Sequence, residues 1–154
     1  MTVVMTDAWV KAEETCFTNL INATNAKKND NAYLGMFPSD ECLNMWMFTS
    51  GASSRVDGRQ LMWTGTSAGF NTMGVSARME LRYAERGDAM TVAGKVWKML
   101  QDTQSLHEKG NVQWLRPLEM PSEPVPVPIG DGRSVRWDIT IPFEIIYEAS
   151  VEYS

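Results

Sequence analysis

Histidine, cysteine and positive charge are all scarce in this chain. One histidine, His107, and two cysteines, Cys16 and Cys42, occur among 154 residues. A Ser-His-Asp or Cys-His nucleophile needs an imidazole base, and metal sites need several His, Cys or carboxylate ligands at short spacing. His107 lies in the polar stretch SLHEKG, where a solvated histidine near a helix end is expected. The expectation is therefore a protein that is not an enzyme, with no catalytic, cofactor-binding or metal-binding residue. The cysteines do not form a CxxC pair, and a chain of this size needs no disulfide staple, so free thiols in a reducing compartment are expected. Lys and Arg number 14 against 19 Asp and Glu, a net charge of -5. Phosphate neutralisation needs a basic excess, so the balance argues against a dedicated nucleic-acid surface. Long apolar runs are missing too, and the start MTVVMTDAWVKAEE lacks a basic segment followed by an apolar one. We expect no signal peptide, no membrane span and a soluble intracellular protein.

The glycine-rich stretches SGASSRVDG and TGTSAGFNTMG match neither GxxxxGK[ST] nor GxGxxG and read as loops. The acidic pairs Glu13/Glu14 and Asp40/Glu41 are sequence neighbours, whose side chains point apart on a helix, so they are solvated charges rather than a catalytic pair.

The remainder is an ordinary globular composition, 44% apolar and 21% charged. It fits a single domain spanning residues 1–154. Helical spacing of Trp9, Ala12, Cys16 and Leu20, widened by Val10, Phe17 and Ile21, predicts a helix over Asp7–Ala23 with Thr6 as N-cap. The asparagine-rich stretch Asn22–Asn31 then stops it. Cys42–Thr49 reads as a strand, with a buried turn of helix as the alternative, and Arg59–Thr66 reads as a strand. From Met73 to Tyr83 apolar odd positions alternate with polar even ones, which predicts a half-buried strand. A second helix is expected over Ala89–Gln104, capped by Asp88, with a stripe of Met90, Ala93, Val96, Trp97 and Leu100. Val112–Leu115 is a short strand. The stretch 116–133 holds five prolines; it reads as a stiff loop unable to join a sheet interior. The last strand, Val135–Tyr147, is apolar at every odd position and contains Pro142, which marks an edge or a bulge. The order αβββαββ predicts an α+β fold: a mixed or antiparallel sheet of about 4–5 strands packed against two helices on one face.

The even, outward positions carry charge. Arg78, Glu80 and Arg82 form one row, and Arg136, Asp138 and Glu144 another. Such rows are either a solvated face with cross-strand ion pairs or a subunit interface whose register the charges fix. The thirteen residues Val135–Tyr147 reach about 43 Å at about 3.3 Å each. A compact domain of this size is about 39 Å across. The last strand thus crosses the whole domain or projects beyond it.

The long strand TMGVSARMELRYAE, the helix AMTVAGKVWKML, the proline-rich MPSEPVPVPIGDGR and the ending RWDITIPFEIIYEA together resemble the tail terminator proteins of long-tailed bacteriophages. The resemblance covers most of the chain as a pattern of elements. It implies a structural virion protein that forms a homo-oligomeric ring, typically a hexamer, caps the tail tube and joins it to the head. Its implied partners are the tail tube protein and a head-completion protein, with DNA passing through the lumen unbound. The implied location is the host cytoplasm during assembly and then the virion. Another head–tail joining or neck protein, and a small α+β ligand-binding module, are the alternative readings.

Overall fold

The computed structural model describes residues 2–3, 5–39, 43–55, 62–63, 68–102 and 111–152. Its elements run β1 (Thr2–Val3), α1 (Met5–Thr24), β2 (Ala32–Leu34), β3 (Met45–Arg55), β4 (Met62–Trp63), β5 (Ala68–Tyr83), α2 (Arg86–Gln101), β6 (Val112–Pro117), β7 (Val125–Ile129) and β8 (Ser134–Glu152). The fold is α+β, as the alternation predicts, and has more strands than expected. The sheet is mixed, because β2 runs parallel to β3 while the other pairings are antiparallel.

The centre of the sheet is the long pair β5–β8. Every residue of β5 has a partner on β8, from Tyr83 opposite Trp137 to Ala68 opposite Glu152. On one side β5 is flanked by β3, with β2 beyond it. On the other side β8 is flanked in turn by β7, β6 and β1. The register places Leu81 opposite Ile139, Met79 opposite Ile141, Ala77 opposite Phe143 and Val75 opposite Ile145. All eight are buried and belong to one core with Trp46 and Phe48 of β3. Phe48 and Phe143 stack at 5.9 Å between ring centroids. Both helices pack on this face.

The core stripe of α2 is Ala89, Ala93, Val96 and Leu100. Met90, expected in that stripe, is instead exposed. The helix starts earlier than predicted: Glu85 is the N-cap, and Asp88 sits in the first turn, where its charge meets the positive helix end. On α1 the buried residues are Ala8, Ala12, Cys16, Phe17 and Leu20, while Val10 faces solvent. The helix begins at Met5, so Thr6 lies inside its first turn. Its stop is as expected: Asn25 takes a φ of 55°, the left-handed conformation that ends helices. Thr24 Oγ1 donates to the Leu20 carbonyl at 2.8 Å and accepts from Trp46 Nε1 at 3.2 Å, tying the helix end to β3.

Two strand expectations are corrected. The proline-rich stretch is not all loop, because Val125–Ile129 pairs with Ser134–Asp138. Pro126 and Pro128 have no N–H to donate. The inward donors of β7 are therefore Val125, Val127 and Ile129, and the prolines face the free edge. Nor is β8 an edge strand; it is paired on both sides. Pro142 is tolerated there because its outer neighbour breaks at that point. The β6 ladder ends at Pro117 opposite Phe143, and the β7 ladder begins at Val125 opposite Asp138. Between them the Leu118 N–H reaches the Pro142 carbonyl at 3.3 Å. In an antiparallel ladder a residue's N–H and C=O point the same way, so the missing donor of Pro142 faces this break rather than β5. The predicted strand Arg59–Thr66 is described only at Met62–Trp63, and His107 and Cys42 lie outside the described residues.

Candidate functional site

The six charged residues singled out from the sequence all lie on the sheet face opposite the helices, by alternation with the buried odd positions. They do not form two rows open to solvent. Arg136 donates two hydrogen bonds to Asp138, Nε to Oδ1 at 2.9 Å and Nη2 to Oδ2 at 3.1 Å. Arg82 stacks its guanidinium 4.2 Å from the centre of the Phe37 ring. Glu144 is 2% exposed, contrary to its expected place on an open face. Its partner is Arg116 on β6, whose Nη2 donates to Oε1 at 2.5 Å. Arg78 and Glu80 are 3.4 Å apart, and of the six only Arg78 is classed as exposed.

Arg116 was missed because it falls where the sequence reads as the start of a loop. Its position two residues after Trp114 was the available signal: both lie on the helix-free face, and their partners on β8 are Glu144 and Ile146. Trp114 stays half exposed, with the Arg116 guanidinium 5.9 Å from its ring. Removing a carboxylate from water without a partner is costly, so the Arg116–Glu144 pair is what lets this face close over Glu144.

The helix side holds polar groups with structural roles. Trp9 Nε1 donates to Ser50 Oγ at 3.0 Å, and the Ser50 hydroxyl donates to Glu13. This ties α1 to β3 where the β3–β5 register shifts between Ser50 and Ser54. A Cβ at Gly51 would come within 3.1 Å of the Ser76 carbonyl oxygen, so the bulge needs a small residue there. Burial pushes the Cys16 thiol far above its ordinary value, with the Glu13 carboxylate adding to the effect. Such a thiol is neither nucleophile nor redox centre. Burial, with a smaller contribution from Asp88, pushes the Tyr83 phenol up to about 12. Among the described residues no group of three His, Cys, Asp or Glu is placed to hold a metal.

Two apolar features lie at opposite sides of the sheet. A groove of about 260 Å³ opens between α2 and the bulge joining β6 to β7. Its walls include Met90, Gly94, Trp97, Met120, Pro121 and Pro124. At the other side, the turn after β2 presents Met36, 73% exposed, two residues beyond the exposed Leu34. Sequence reading assigned Met90 and Trp97 to the core and did not single out Met36 or Met120. An exposed methionine in a loop carries no periodic signal.

No protein-family model matches the chain, and no curated protein does. No helix among the described residues is long and apolar enough to cross a membrane.

Proposed function

We propose that this chain is a structural subunit of a closed homo-oligomeric ring, a tail terminator that caps a phage tail tube and joins it to the head. The observation carrying this reading is the reach of the β5–β8 ribbon. β8 has 19 residues, about 60 Å of extended chain, against about 39 Å for a compact domain of this length. Beyond the core pair Met73 opposite Tyr147, five further pairs continue to Ala68 opposite Glu152. Those five pairs extend the ribbon by roughly 17 Å. This end of the sheet widens where β4 joins β5 at Gly69 and Phe70 and β1 joins β8 at Val151 and Glu152. It gains a purpose when it reaches a neighbouring protomer or the tube beneath. The six charged residues are engaged within the chain, which leaves the margins of the sheet as places for a neighbouring copy. The net charge of -5 suits a lumen through which DNA passes without sticking.

Electron microscopy of the purified protein tests the reading. Closed rings of uniform size with a central channel are expected, and added protein should cap polymerised tail tube at one end. Monodisperse single chains that neither form rings nor bind tube ends would refute it.

A further inference from the structure

We infer that the groove beside α2 is the socket for a second copy of this chain, filled by the neighbour's Leu34 and Met36 in a head-to-tail contact. The inference rests on the ring reading and specifies its seam. Two margins of the sheet resist strand addition. The margin at β7 turns Pro126 and Pro128 outward, so two donors are missing from that edge. The margin at β2 is covered by its own preceding turn: the Ala32 N–H donates to the Lys27 carbonyl, and Ala32 accepts from Asn29. At these two margins a contact between copies is made by side chains.

The two patches match in three respects. The first is shape. The groove holds about 260 Å³, room for one or two apolar side chains, and Met120 at its rim is 72% exposed. Methionine walls adapt to what enters them. The second is charge. The bulge bearing Met120 also bears exposed Glu119 and Glu123, and the turn before β2 bears exposed Lys27 and Lys28 beside a single exposed Asp30. An acidic rim thus faces a basic one when the copies meet head to tail. The third is placement. Four strand spacings, from β2 through β3, β5 and β8 to the β6–β7 margin, separate the patches by about 19 Å. Knob and socket on opposite sides of one protomer cannot satisfy each other within a chain. Repeated by a rotation that closes, such a heterologous contact makes a ring.

Sedimentation velocity on the full chain tests this with Met36→Asp, Met120→Asp and their equimolar mixture. Both side chains are largely exposed, so both variants should fold, which circular dichroism checks. Each alone should weaken association by roughly tenfold or more. The mixture should form a dimer and nothing larger, because Met36→Asp keeps an intact socket and Met120→Asp an intact knob. Variants that assemble like the wild type overturn this seam and leave the ring reading standing. A mixture that stays monomeric overturns the head-to-tail pairing. A wild type that is monomeric at every concentration overturns both. As an independent check, Lys27→Glu/Lys28→Glu should also lose association and regain it when mixed with Glu119→Lys/Glu123→Lys, as oligomers in which the two variants alternate, because both unlike contacts are then complementary in charge; no recovery contradicts the charge match.

Discussion

The two faces of the β5–β8 pair are built by opposite means. On the helix side Val75, Met79, Leu81, Ile141, Phe143 and Ile145 are wholly buried, and apolar burial alone holds them. On the other side Arg116 secures Glu144, Arg136 secures Asp138, and Phe37 covers Arg82. This face stays in order without a helix layer by pairing its charges internally. A charged row on a strand is thus no guide to a subunit contact until its partners within the chain are known.

The contrast can be broken from either side. Ile141→Asp places a charge in the centre of the helix-side core and should abolish folding, seen as loss of the cooperative thermal transition. A folded Ile141→Asp protein would refute the register. On the opposite face, Glu144→Ala strands a partly buried Arg116. It should cost about 3 kcal/mol in urea unfolding, whereas Arg116→Met with Glu144→Leu should be close to neutral. Equal losses for the single and double variants would mean that packing, not charge pairing, closes this face. Tyr83 sharpens the contrast through pH. Its folded pKa, about 12, lies above the ordinary 10. The folded state therefore holds the proton more tightly, and its contribution to stability is present below pH 10 and lost as pH rises toward 12. Tyr83→Phe should flatten this alkaline loss. The smallest effect belongs to the ion pair of exposed Arg78 with half-buried Glu80: Arg78→Ala or Glu80→Ala should change stability by no more than about 0.5 kcal/mol.

The helix-side face was legible in the sequence because burial there follows strand and helix periods directly. The odd residues of β5 and β8 and most of the α1 stripe could be read without knowing which strand lies beside which. The rest depends on pairing between distant segments. Glu144 reads as an outward charge until Arg116, 28 residues away, is brought beside it. Pro142 reads as the mark of an edge or a bulge because the break between the β6 and β7 ladders, from Pro117 opposite Phe143 to Val125 opposite Asp138, leaves no local pattern in β8. The prolines of β7 read as loop because proline excludes a strand interior but allows an edge. On α2 the stripe was misplaced by one position at its start, where Ala89 rather than the larger Met90 turns inward.

The central claim is that copies meet at the sheet margins and not through the charged rows of the helix-free face. Sedimentation velocity comparing Arg78→Ala/Glu80→Ala with Met36→Asp tests it most directly. The account predicts wild-type assembly for the first and association weakened roughly tenfold or more for the second. Loss of assembly in the first with normal assembly in the second would contradict it.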